Sequence, residues 1–170
     1  IDVSNKTARI QPGLIRDELN QLLAQNHLIF GPDTSTTNRC MLGGMIGNNS
    51  SGSFSIKYGT TRDNLRSVKA VLSDGSLVEF GPLNPDELTQ KRKLQTLEGK
   101  IYDGVCRILE NNADLIRERY PHASIIRRNT GYALDILLNM APFTPDGPPF
   151  NLSHLLCGSE GTLALTTEAT

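Results

Sequence analysis

The sequence predicts an α+β fold, a mostly antiparallel sheet with flanking helices, on three observations. Alternating apolar residues on either side of Ser73-Asp74-Gly75-Ser76 predict a β-hairpin. Two segments, near 14–23 and 96–120, repeat apolar residues at helical spacing. The strand-like stretches at 7–10, 67–72, 77–80 and 162–167 lie far apart, so the sheet has to close by long-range pairing.

In chain order, Thr7-Ala8-Arg9-Ile10 reads as the first strand. Pro12 marks a helix start, and Leu14, Ile15, Leu19, Leu22 and Leu23 give that helix its apolar face as far as Asn26. His27 reads as a C-terminal helix residue favoured by the helix dipole. Residues 32–59 are dominated by Gly, Ser, Thr and Asn and show little periodicity. They read as a long, ordered loop, because Met41, Leu42, Met45 and Ile46 are embedded in it. Val68, Ala70 and Leu72, then Leu77 to Phe80, form the hairpin. Asn84-Pro85-Asp86-Glu87 combines a capping Asn, a first-turn Pro and a third-position Glu, which starts a helix. A longer helix spans about 96–120, with Ile101, Val105, Ile108 and Leu109 as its apolar stripe and a break at Asn111-Asn112. Ser124-Ile125-Ile126 reads as a short strand, and Ala133 to Leu138 as a short helix. The proline-rich 141–150 reads as a surface loop or lid, and Leu163 to Thr167 as the last strand.

At 170 residues, with 38% hydrophobic and 21% charged, the chain can bury a core as one domain. The 17 basic and 18 acidic side chains, net −1, leave no positive excess for a phosphate backbone. That argues against a nucleic-acid partner. No apolar run approaches the ~18 residues of a membrane span. Cys40, Cys106 and Cys157 are three in number, widely separated and without a CxxC pair. They read as reduced thiols in a cytoplasmic protein, or one peripheral to the inner face of a membrane. The chain begins at Ile1 on one strand-like stretch and stops in another, which predicts a longer parent.

The chemistry-bearing signal is small-residue density. Met41 to Gly52 (MLGGMIGNNSSG) holds four glycines, and Tyr58-Gly59-Thr60 follows closely. Cys157-Gly158-Ser159-Glu160-Gly161-Thr162 repeats the character far downstream. Stripped of side-chain bulk, such backbone can approach a large, oxygen-rich ligand. The spacing Gly43-Gly44-x-x-Gly47 is neither the dinucleotide fingerprint nor a Walker loop, since no Gly-Lys-Ser/Thr follows. Taken alone, it is equally a tight turn beside a crowded core.

Five ordered motifs together carry a resemblance: Pro32-Asp33-Thr34-Ser35-Thr36, Leu42 to Gly52, Lys57 to Asn64, Val71 to Gly75 and Gly158 to Leu163. In this order the chain resembles the FAD-binding domain of the vanillyl-alcohol-oxidase/p-cresol-methylhydroxylase (PCMH) superfamily. Within it, the chain is most similar to the FAD-linked D-2-hydroxyacid dehydrogenases acting on D-lactate, glycolate or D-2-hydroxyglutarate. Arg127 to Asp135 also has a counterpart there, in long bacterial members that carry a C-terminal iron–sulfur region.

The resemblance implies that residues 1–170 are the second subdomain of a PCMH-type FAD-binding domain. It implies that Pro32, Asp33, Thr34 and Ser35 line the flavin and ribityl region. Gly43, Gly44, Gly47, Asn48, Asn49, Ser51, Gly52, Tyr58 and Gly59 would approach the ribityl–pyrophosphate side. Glu160, Gly161 and Leu163 would reach the adenosine end, with Glu160 accepting from a ribose or holding a loop amide. The family's N-terminal lobe, with its glycine-rich pyrophosphate loop, and its C-terminal substrate cap have no counterpart in these residues. The expectation is therefore weak or no FAD binding and no turnover by this stretch alone, with the catalytic residues elsewhere in the parent.

Other residues are read more plainly. Arg127 and Arg128 could grip a substrate carboxylate, but read better as surface arginines flanking a strand. Tyr132 could border the flavin pocket that the resemblance implies but reads better as packing, and Cys157 reads as a small core residue. His122 and His154 have no metal spacing. The parent is expected to move a hydride from a D-2-hydroxy acid to flavin, making the 2-oxo acid, and to pass electrons to another acceptor. The rival reading is a non-catalytic binding or interaction module that keeps the fold without cofactor, its uncovered cleft favouring self-association.

Overall fold

The computed structural model describes residues 1–122, 124–125 and 131–170. Its sheet has three antiparallel strands in the order β2-β1-β3: β1 (Val68–Val71), β2 (Leu77–Phe80) and β3 (Leu165–Ala169). The β1–β2 register sets Val68 opposite Phe80 and Val71 opposite Leu77, around the expected turn. There Asp74 Oδ1 accepts from the Ser76 amide at 3.0 Å, and Gly75 takes a φ of +82°. Strict alternation buries Val68, Ala70, Val78 and Phe80 and leaves Lys69, Leu77 and Glu79 outside.

Helix α1 (Arg16–Ala24) buries Leu19 and Leu23. Its end comes before Asn26, and His27 lies beyond it at a left-handed φ of +56°, so His27 is not a helix residue. The stretch 7–10 forms no strand. Thr7 bridges only Asp2, and Ile10 bridges Ala169, extending the sheet by one residue pair. Helix α2 (Leu42–Asn48) and the single turn α3 (Ser55–Tyr58) fall within the expected loop. Helix α4 (Pro85–Arg92) starts as expected, with Asn84 accepting from the Glu87 amide at 2.9 Å.

Helix α5 (Leu97–Arg119) is interrupted at Asn112, whose backbone is non-helical and whose amide donates to the Ile108 carbonyl at 2.9 Å. Its buried stripe runs through Tyr102, Cys106, Leu109 and Ile116, while Ile108 faces outward. The stripe is thus rotated by about one residue from the expected one. Helix α6 (Leu134–Leu138) packs beside it, and α7 (Ser153–Leu156) packs against α6. Within the proline-rich stretch, Phe150 is fully buried and bridges Leu83, so its end is anchored in the core. β3 begins later than expected because a tight turn occupies 159–162. The short strand expected at 124–126, and Arg127 and Arg128, involve residues outside those described.

Two apolar clusters result. The larger joins the inner sheet face to α4–α7 around Val68, Phe80, Tyr102, Leu109 and Phe150. The smaller joins α1 to α2 through Leu19, Leu23, Leu42 and Met45. α2 serves both, since Ile46 belongs to the larger cluster. That dual burial fixes the helix from which the candidate site is built.

Candidate functional site

Leu42, Met45 and Ile46 recur at i, i+3 and i+4 and turn one side of α2 into the core. Its glycines are thereby set elsewhere, and each meets something different. Gly43 lies against Pro12, where an added Cβ would come within 2.5 Å of the proline Cβ. Gly44 faces open space, with nothing within 4 Å of an added Cβ. Gly47 faces the second glycine segment, its added Cβ lying 3.9 Å from Glu160 Cα.

The two small-residue segments are bonded directly to each other. The Gly158 amide donates to the Ile46 carbonyl at 3.1 Å, and the Glu160 amide to the Gly47 carbonyl at 2.9 Å. These satisfy carbonyls at the C-terminal end of α2, which has few residues beyond it to do so. Asn48 Nδ2 donates to Glu160 Oε1 at 3.0 Å, and Ser50 Oγ donates to Asn48 Oδ1 at 3.3 Å. Glu160 therefore holds the side-chain amide of Asn48. Beside this junction runs a groove of about 320 Å³, lined by Pro12, Gly43, Gly44, Gly47, Gly161 and Ala164 among others. Gly161, at φ +75°, also has open space where a Cβ would stand.

Asp33 organises the turn that follows α2. Its amide donates to the Ser51 carbonyl at 3.2 Å, while its carboxylate accepts from the Phe54 amide and the Ser53 hydroxyl, both at 3.0 Å. The Phe54 amide is the main reason its carboxyl sits below the ordinary value of 3.8. Gly52, at φ +72°, lies so close to the Asp33 carbonyl that any Cβ would overlap it. Gly59, at φ +75°, packs on the Asp63 side chain, which also takes the Thr60 amide at 2.7 Å. Tyr58 covers Gly31, where again no side chain fits.

Most of the residues singled out from sequence thus gather around one helix. Thr34 and Ser35 lie on the approach to it, and the Thr34 hydroxyl donates to Cys40 Sγ at 3.3 Å. Leu163 is 40% exposed just past the second glycine turn. Pro32 differs: its side chain is fully buried and its carbonyl accepts from Arg16 Nε at 3.1 Å, so it supports the segment from beneath. Asn49 is also buried. It caps α2 at a left-handed φ of +52°, accepts at Oδ1 from the Arg62 amide at 2.9 Å, and leaves Nδ2 without a partner among the described residues.

Tyr132 is more than a packing residue. Thr162 Oγ1 donates to the Ser159 carbonyl at 2.6 Å, so the Tyr132 hydroxyl, 2.7 Å from Thr162 Oγ1, is the donor of that pair. Cys157 is fully buried, and burial pushes its thiol up to about 12. His154 is pushed down by burial, which keeps the ring neutral. Among the described residues no group of three His, Cys, Asp or Glu could hold a metal. Nor does any described helix have the length and apolarity to cross a membrane. Sequence reasoning assigned no role to Arg62, which proves buried between α2 and α7. The carbonyls of His154 and Cys157 that its side chain meets lie some ninety residues away, where no local pattern could have named them.

A solved alkyldihydroxyacetonephosphate synthase superposes on 99% of this chain and 18% of its own with a TM-score of 0.53, at 22% identity. At that identity the likeness speaks for the fold. Residues 1–81 match the family model described as the FAD binding domain. It is 36% identical to a D-2-hydroxyglutarate dehydrogenase of Pantoea ananatis over 99% of its length, and 40% identical to that of Escherichia coli over 95%. A D-lactate dehydrogenase of Archaeoglobus fulgidus matches over the whole chain at 26%. The chain spans 16%, 15% and 25% of the length of these three relatives.

Proposed function

We propose that this chain is the second lobe of the FAD domain of an oxidoreductase that converts a D-2-hydroxy acid, of the D-2-hydroxyglutarate, D-lactate or glycolate type, to its 2-oxo acid. The observation that carries the reading is the direct bonding of two glycine segments beside an open groove. A cofactor reaching both would meet backbone on both.

The residues present fit an elongated nucleotide. Gly44 and Gly161 leave the groove floor without side chains. Asn48 bonds to Glu160 across the junction of the two glycine segments, and Asn49 Nδ2 at the end of α2 is a buried donor with no partner among the described residues. Bound there, the isoalloxazine would supply the redox chemistry by accepting the hydride from the substrate α-carbon. The chain's own part is to orient and shield. Asp33 fixes the 51–54 turn, Tyr58 closes over Gly31, and Glu160 with Asn48 holds the turn at 158–161 against α2. Groups that bind the substrate carboxylate and manage the hydroxyl proton are supplied by the rest of the parent. So is the electron acceptor, for which an iron–sulfur region of the parent is our reading.

The test is anaerobic. The full-length protein is purified, its visible spectrum recorded, and D-2-hydroxyglutarate, D-lactate and glycolate added in turn. A flavin spectrum bleached by at least one of them is expected. Protein that neither carries nor takes up FAD would end the reading. Bound flavin that none of the three acids bleaches would overturn the 2-hydroxy-acid reading, whereas protein without flavin would favour the non-catalytic module.

A further inference from the structure

The structure assigns Arg62 a positioning role: it clamps the second glycine turn to α2 and so holds the two halves of the proposed cofactor groove in register. This rests on the FAD reading of that groove. The Arg62 side chain is buried, at 8% exposure. Its Nε donates to the His154 carbonyl at 3.0 Å and its Nη2 to the Cys157 carbonyl. These oxygens lie at the C-terminal end of α7, where helical carbonyls lack partners and the dipole favours a cation. On the other side the Arg62 amide donates to Asn49 Oδ1 at 2.9 Å, on the residue that caps α2.

One residue therefore touches the C-terminus of α2 through its main chain and the C-terminus of α7 through its side chain. Cys157 leads straight into Gly158 and Glu160, whose amides bond back to α2. The circuit α2–Arg62–α7–turn–α2 is closed by hydrogen bonds and, from α7 to the turn, by the chain itself. The planar fork is what lets one side chain serve two carbonyls, a geometry that an ammonium group cannot reproduce. If the groove is competent only with this circuit closed, cofactor affinity scales with the closed fraction.

The test compares wild-type and Arg62→Lys full-length proteins by amide hydrogen exchange and FAD titration, at a temperature where both are folded. Exchange at Gly158 and Glu160 is expected to quicken at least tenfold, with α5 amides unchanged. The FAD dissociation constant is expected to rise about tenfold, as it would if the closed fraction fell to about a tenth. Asn49→Gly, which tolerates the left-handed φ and removes the Oδ1 acceptor, gives a second variant should Arg62→Lys not fold. It is expected to act in the same direction, by about threefold on the same population argument. Unchanged exchange at 158–160, or quickened exchange with unchanged FAD affinity, would overturn the assignment. A wild-type protein that binds no FAD would end the cofactor reading by itself, and exchange alone would then decide whether Arg62 clamps the turn.

Discussion

Gly44→Ala separates a glycine kept for a ligand from one kept for the fold. In the folded chain the new methyl meets nothing within 4 Å, and the position lies inside α2. Alanine in place of glycine within a helix is worth about 0.5–1 kcal/mol. For a domain of this size each kcal/mol moves the melting temperature by about 2–4 °C, so the variant should melt about 1–4 °C higher. Against a cofactor lying on this face, the same methyl is overpacking, which costs about 1–3 kcal/mol. That corresponds to about 5- to 150-fold weaker FAD binding. The assay pairs thermal unfolding of the apoprotein, followed by circular dichroism, with FAD titration by quenching of flavin fluorescence. Stabilisation with unimpaired FAD binding would refute the argument, because the open face of α2 would then not be a cofactor wall. Gly43→Ala is the contrast: its methyl strikes Pro12 and should lower stability whatever binds.

Gly52→Ala places a Cβ on the Asp33 carbonyl at a positive φ, and urea denaturation should show a loss of at least about 1–3 kcal/mol. Asp33 has a folded carboxyl below 3.8, so its stabilisation is complete above that value and fades as pH falls through the lower, folded one. Acid titration of the 51–54 turn should show its loosening only below the ordinary carboxylate range, and Asp33→Asn should remove that step. Tyr102 buries a hydroxyl without a partner among the described residues, so Tyr102→Phe should hold or raise stability, by up to about 1–3 kcal/mol in chemical denaturation. The thiols of Cys106 and Cys157, pushed up by burial to about 11 and about 12, should resist alkylation at pH 8 while the chain is folded and yield once it is unfolded.

What was legible in the sequence was local. The Ser73–Ser76 turn, the Asn84 cap with Glu87 and the break at Asn112 each depend on residues within a few positions, and each is found where it was read. α2 was not legible as a helix, because glycine is a poor helix former and three glycines in seven residues argue against one. Burial of Leu42, Met45 and Ile46 against two clusters, with caps from Gly158 and Glu160, overrides that propensity. The same distance in sequence hid Arg62, and it displaced the start of β3, whose expected first residues belong to the 159–162 turn. Of the site, the gathering of glycines was legible from the motifs. The inward turn of Pro32 and Asn49 was not, since nothing in a loop pattern marks which side chain faces the core.

The central claim is that one elongated flavin nucleotide lies against both glycine segments at once. Amide hydrogen exchange of the full-length protein with and without FAD tests it most directly. The account predicts that added FAD slows exchange together at Gly44 to Gly52 and at Glu160 to Leu163, leaving the outer turns of α5 unchanged. Slowing confined to one segment, or found in neither, would contradict it.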